Sequence, residues 1–226
     1  MSYRSRPIDA FLDSIASPQV TPAGGSTAAV VGAMGAALCE MVCIHTIERA
    51  GANTADGPGN SHATADGPRD RRYTVDGPRD SHAIADALKH SRKVFHTQRD
   101  HLLTLADADA EAVDALLAAS EAAESTRGRR SKRAIGVPLT IADSCLTILD
   151  EAPTVVTQGT ASAVPDAITG AYLTHAAGLA AVFTVRTNLD AAGDPDFETR
   201  IGDRAADTER AIDAAFEATI DAETTR

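Results

Sequence analysis

Two aspartates, an arginine, an asparagine and one glycine-rich turn are the residues of this chain whose types and spacing could do chemistry. Thr21-Pro22-Ala23-Gly24-Gly25-Ser26-Thr27-Ala28-Ala29 runs straight into small and apolar residues from Val30 to Ile47. Glycine lets a backbone come close to a ligand, and Ser26 is a residue type that caps helices. The free N–H groups and the dipole at such a helix start favour anionic or electron-rich ligand atoms. Plain capping of a buried helix explains the same residues. The turn is neither a Walker A loop, since no Gly-Lys-Ser/Thr follows, nor a Gly-x-Gly-x-x-Gly dinucleotide fingerprint.

Asp109 falls in the apolar stripe Ile84, Leu88, Phe95, Leu102, Leu105, Val113, Leu116 of a predicted helix. A carboxylate on a core face is costly unless it is paired or functional; Asp107 and Glu111 beside it read as the solvated face. Asp166 follows Val164-Pro165 in the first turn of another helix, where the dipole favours an anion, an explanation complete without chemistry. Arg186 continues the stripe Tyr172, Leu179, Phe183, either snorkelling at the helix end or aimed into an internal site. Asn188 follows two residues later. The seven histidines form no His-x-x-x-His pair, so no metal site is expected. No Gly-x-Ser-x-Gly elbow marks a serine hydrolase. Cys39, Cys43 and Cys145 lack metal spacing and imply no disulfide framework; they read as core thiols.

The elements that must position these residues are all helical. Ile8, Phe11, Leu12 and Ile15 share one face of a short first helix. A second helix is predicted from about Ser26 to Ala50, with Ala29, Gly32, Ala33, Ala36 and Ala37 offering a flat face to another backbone. A third runs from Ser81 to about Glu124 and a fourth from about Ser131 to Asp150, with a turn at Gly128 and a kink at Pro138. The basic run Arg127 to Arg133 reads as charge at a helix C-terminus. A connection from Ala152 to Val164 precedes the fifth helix, and Asp194-Pro195 caps a sixth, with Phe197, Ile201, Ala205, Ile212, Phe216 and Ile220 inward. The fold class is an all-α bundle of about six helices in a single domain spanning 1–226. Between the second and third helices, Thr54-Ala55-Asp56-Gly57-Pro58 returns as Thr64-Ala65-Asp66-Gly67-Pro68 and as Thr74-Val75-Asp76-Gly77-Pro78. Asp-Gly-Pro blocks helix and strand alike, so residues 51–80 are expected to be an exposed, mobile decapeptide-repeat insertion.

The formal charge of −11 argues against nucleic acid as a main partner. Three lysines among 21 basic residues, with many aspartates, suit a halophilic, salt-rich cytoplasm. Ala28–Ile47 is interrupted by Glu40 and His45, and Ala167–Val185 is diluted by polar residues. Both are expected to fall short of a membrane span. The N-terminus lacks a signal-peptide core, and a soluble, cytoplasmic protein is expected.

As an ordered set, the motifs resemble the formiminotetrahydrofolate cyclodeaminase / methenyltetrahydrofolate cyclohydrolase family, the all-helical cyclodeaminase half of formiminotransferase-cyclodeaminase. They are Phe11-Leu12 with Thr21–Ala29, Met41-Val42, Asp107-Ala108-Asp109-Ala110-Glu111-Ala112, Val137-Pro138-Leu139 and Asp166–Asn188. Ala23 replaces a family glycine, and Gly159-Thr160 stands where Gly-Asn is common. The resemblance implies a one-carbon tetrahydrofolate substrate, no metal or redox cofactor and a homodimer. The favoured activity is hydrolysis of 5,10-methenyltetrahydrofolate to 10-formyltetrahydrofolate. The alternatives are formiminotetrahydrofolate cyclodeamination and a non-catalytic folate-binding or assembly module. Asp109 or Asp166 would be the acid/base or cation-facing group, and Arg186 the anion anchor. Asn188 would orient the substrate, and Gly24, Gly25 and Ser26 would touch it.

Overall fold

The computed structural model describes residues 2–55, 78–119 and 123–226, all helix or connection, with the backbone alone for 52–55 and 78–81. Among them the helices are α1 (Ile8–Ile15), α2 (Gly24–Ala55), α3 (Pro78–Leu117), α4 (Glu124–Gln158), α5 (Val164–Asn188) and α6 (Pro195–Thr224). The all-α bundle stands. Short 3-10 turns at Tyr3–Ser5 and Leu189–Ala192 were not foreseen.

At the centre, α2 and α5 cross at two glycines. A Cβ on Gly35 would lie 2.6 Å from the Gly170 carbonyl oxygen, and one on Gly170 2.7 Å from that of Gly35. The two backbones therefore touch, and small residues are what let them. This corrects the fifth-helix stripe. Tyr172 and Phe183 are exposed, and the buried face is Ala167, Gly170, Ala171, Thr174, Ala177, Gly178, Ala181, Val182 and Val185. The predicted stripes of α3 and α6 are borne out by buried Leu88, Phe95, Leu102 and Leu105, and by Ala205 and Ile212.

Several boundaries move. Helix α3 stops at Leu117, short of Glu124, where no breaker marks the sequence. Arg130 donates to the carbonyl of Ala115 and caps that end from the next helix. The basic run thus lies in the first turns of α4, not at a C-terminus of its own helix. Gly128 is helical, and α4 continues past Asp150, through Pro138 and Pro153, to Gln158. An internal proline costs about 3 kcal/mol; Val155 and Val156 beyond Pro153 are fully buried and offset that cost. The α4–α5 connection shrinks to 159–163. Of the expected insertion, 51–55 and 78–80 are helical ends of α2 and α3, and residues 56–77 lie outside the described residues.

Helices α2 and α5 are, by length and hydropathy, long and apolar enough to cross a membrane, contrary to the estimate from sequence. Both are central helices of the bundle, and about half of each apolar window is buried inside it. Cys39, Cys43 and Cys145 are buried free thiols, which burial pushes up to about 12.

Candidate functional site

Helix α2 begins at Gly24, two residues before Ser26, so this serine sits inside the first turn and its hydroxyl is free of capping duty. Ser26 Oγ instead donates to Asp109 Oδ2 at 2.8 Å. The backbone N–H of Ser26 also serves that carboxylate. Gly25 lies flat against it: a Cβ there would stand 2.3 Å from Asp109 Oδ1. Only glycine lets α2 and α3 meet at this point with the carboxylate between them. Asp109 is 3% exposed, and no cation among the described residues pairs with it. Burial pushes its carboxyl above the usual carboxylate range, while the Ser26 hydroxyl and backbone bonds pull it back. Gly24 is open to solvent, with Thr184 of α5 as its nearest neighbour. Beside this corner Thr21 Oγ1 donates to Asp114 at 3.0 Å. Asp107, expected to be merely solvated, accepts from the Tyr3 N–H at 2.7 Å and fixes the N-terminal segment.

Asp166 is at the other end of α2. It borders an open depression of about 550 Å³ with Met41, His45, Glu48, Arg49, Thr160 and Ser162. From Gly25 to Met41 is sixteen residues, about 24 Å of helix. Asp109 and Asp166 of one chain therefore cannot reach one substrate atom. Arg49 makes no ion pair with another described residue.

Arg186 projects from the face of α5 turned towards α6, where both guanidinium arms donate to Glu209, at 2.8 and 2.5 Å. Thr184, two residues earlier, is the side chain facing Gly24. Asn188 ends α5 and makes no capping bond. The structure thus brings together Gly24, Gly25, Ser26 and Asp109, and holds Asp166 and the Arg186 guanidinium apart from them.

A second buried carboxylate was read in the sequence only as an interruption of an apolar run. Glu40, on the α3-facing side of α2, receives Arg99 at 2.7 Å and lies 3.1 Å from His96 Nδ1. Its signal was the one that marked Asp109, an acid inside an apolar stripe. Unlike Asp109 it has a cation, so its burial is compensated. Among the described residues no group of three or more His, Cys, Asp or Glu side chains could hold a metal.

The family model described as formiminotransferase-cyclodeaminase matches residues 7–63 and 72–207. A methenyltetrahydrofolate cyclohydrolase of Methylorubrum extorquens is 60% identical over 40 residues, 18% of this chain and 19% of that relative's length. The chain thus aligns with about a fifth of that protein. The crystal structure of formiminotetrahydrofolate cyclodeaminase from Thermotoga maritima shares the fold, with a TM-score of 0.73, 22% identity and 98% of both chains covered.

Proposed function

The chain belongs to the formiminotransferase-cyclodeaminase family, and on that premise we propose that it works on one-carbon tetrahydrofolates, hydrolysing 5,10-methenyltetrahydrofolate to 10-formyltetrahydrofolate. The observation that carries the reading is the buried Asp109 carboxylate, held by Ser26 under Gly25 and paired with no cation among the described residues. The substrate supplies what is missing: a positive charge spread over N5, the bridging carbon and N10. A desolvated carboxylate facing that amidinium stabilises it and can carry a proton.

Water adds to the bridging carbon as Asp109 takes one of its protons. The proton passes to N5 while the carbon–N5 bond breaks, and the remaining hydroxyl loses its proton to become the formyl oxygen on N10. One proton is released overall. Ser26 fixes the carboxylate through both steps, and exposed Gly24 leaves the ligand a path to the corner. A carboxylate whose proton affinity is raised by burial suits a group that must both take and return a proton. Metal and redox cofactors have no part in this sequence of steps.

The anionic tail of the substrate needs a cation. Arg186 would have to leave Glu209 to serve, whereas Arg49 in the depression makes no ion pair with another described residue, which favours Arg49. Asn188, at the end of α5, remains an orienting amide in this reading.

Cyclodeamination is the second reading, favoured by the fold shared with a formiminotetrahydrofolate cyclodeaminase. There N10 attacks the formimino carbon and ammonia leaves through an adduct at the same atom. The short, close match to a cyclohydrolase favours hydrolysis. Loss of methenyltetrahydrofolate absorbance, with the uncatalysed rate subtracted, tests the first; ammonia release from 5-formiminotetrahydrofolate tests the second. Turnover of neither, or full turnover by both Asp109→Asn and Asp166→Asn, overturns the proposal.

A further inference from the structure

The connection between α4 and α5, residues 159–163, begins a wall with two faces. Thr160, Ser162, Ala163 and, one turn on, Asp166 border the open depression that holds Arg49. Val164, Pro165 and Ile168 line a second hollow of about 430 Å³, which Ile220 and Arg226 bound from the end of α6. A short connection between helices is ordinarily the softest part of such a wall. This one is tied on both sides, to α2 and to α6.

On the α2 side, the Thr160 N–H donates to Thr46 Oγ1 at 2.9 Å, and that hydroxyl donates in turn to the Val42 carbonyl at 2.8 Å. Gly159 lies flat on the same helix: a Cβ there would stand 2.9 Å from Val42 Cγ1. On the α6 side, Arg226 Nη2 donates to the Gly159 carbonyl at 2.5 Å. That carbonyl stands at the C-terminal end of α4, where a helix leaves its last acceptors without internal partners and its dipole favours a cation. Arg226 thus serves α4 as Arg130 serves α3, each a guanidinium brought from another helix to a terminal carbonyl. The backbone of Arg226 is itself tied to the last turn of α6, through the Glu223 carbonyl. Two successive residues of the wall are therefore held, Gly159 from α6 and Thr160 from α2.

We infer that Arg226 is a positioning residue for the depression: it does not border that space, and it sets the wall by holding Gly159 against α2. This rests on the reading that the depression receives the anionic tail of the substrate through Arg49. Thr160 and Ser162 present hydroxyls to the same space, and their placement follows from the backbone at 159 and 160. A wall free to move weakens binding, because the ligand must then order it. The effect falls on recognition and leaves the proton chemistry alone, since Asp109 lies at the other end of α2.

Kinetics and amide exchange of the full chain together test the clamp. Arg226→Ala should raise KM for methenyltetrahydrofolate by roughly three- to tenfold, the worth of one such hydrogen bond, with kcat within about twofold. Arg226→Lys, which keeps a cationic donor, should recover most of that KM. Thr46→Val removes the other tie and should act in the same direction. Arg210→Ala, an exposed arginine of α6 paired with Asp207 in its own helix, should leave KM alone. Hydrogen exchange needs no substrate: the Thr160 amide should exchange roughly three- to tenfold faster in Arg226→Ala. An unchanged Thr160 amide overturns the clamp. A lower melting temperature with KM unchanged, where Arg49→Ala does raise KM, shows a structural bond only and overturns the positioning role. If the chain turns over folate and neither Arg49→Ala nor Arg226→Ala moves KM, the depression does not receive the tail and the positioning role falls with it. In a chain inert towards folates, faster exchange at Thr160 leaves the clamp standing and removes only the substrate.

Discussion

The two ends of α2 hold opposite kinds of polar environment. At its start one carboxylate, Asp109, is sealed under Gly25 and bonded, among the described residues, by Ser26 alone. Towards its end Glu48, Arg49, His45 and Asp166 share an open depression with the hydroxyls of Thr160 and Ser162. A sealed group feels few and fixed dipoles, so its proton affinity is set by the protein. An open group is screened, and it contributes contact and charge more than proton chemistry. The first suits the acid/base and the second suits recognition. A third environment, Glu40 with Arg99 and His96, shows what a buried carboxylate looks like when the fold neutralises it.

This contrast can be broken by experiment. Asp109→Asn keeps the shape and removes the base, so turnover of methenyltetrahydrofolate should fall by roughly 10²–10⁴-fold. Arg49→Ala at the open end should raise KM with little change in kcat, the mark of binding lost equally in ground and transition states. If Arg49→Ala lowered kcat as much as Asp109→Asn does, the division of labour between the ends would be wrong.

Stability sharpens the same comparison. Gly25→Ala would push a methyl into the Asp109 carboxylate, and Gly35→Ala a methyl into the Gly170 carbonyl. Each overpacking should cost about 1–3 kcal/mol by denaturant titration, and Gly35→Ala the more, because a backbone cannot swing aside as a carboxylate can. Ser26→Ala leaves a buried carboxylate short of one donor and should cost about 1–3 kcal/mol. Glu209→Gln, which weakens the partly exposed pair with Arg186, should cost under about 1 kcal/mol. It should leave KM alone if Arg49 is the anchor.

The pH dependence has a definite sign. Asp109 holds its proton more tightly folded than unfolded, so the native state binds more protons as the unfolded carboxyl titrates. Its contribution to stability is therefore fully present below the unfolded pKa of about 3.8 and is lost as pH rises through the higher folded value. Asp109→Asn should flatten the chain's stability profile above that pH. An unchanged slope would mean that Ser26 offsets the whole cost of burial.

Much of the site's corner was legible because it is written in local pattern. Asp109 stands in a stripe of period 3.6, and its burial follows from Leu102 and Leu105 on the same face. Asp166 and Arg186 were harder. A position on a stripe fixes an angle about the helix axis and says nothing of which neighbour lies there. Arg186 thus faces Glu209 of α6 instead of an internal site. Tyr172 and Phe183 misled for a related reason: bulk marks a core in most helices, but α5 is buried through its alanines and glycines. The early end of α3 had no local signal, because Arg130 supplies its cap from another helix.

By itself the sequence determined that this chain is a helical bundle, which helices it has, and that Asp109 would sit in the core. Those follow from periodicity, capping residues and the cost of burying charge, all local quantities. Tertiary structure alone decided that Ser26 spends its hydroxyl on Asp109, and that Gly25 is the space the carboxylate needs. It also set Asp166 at the far end of α2. Distance between residues remote in the chain depends on how helices are threaded and crossed, and no spacing along one helix carries that information.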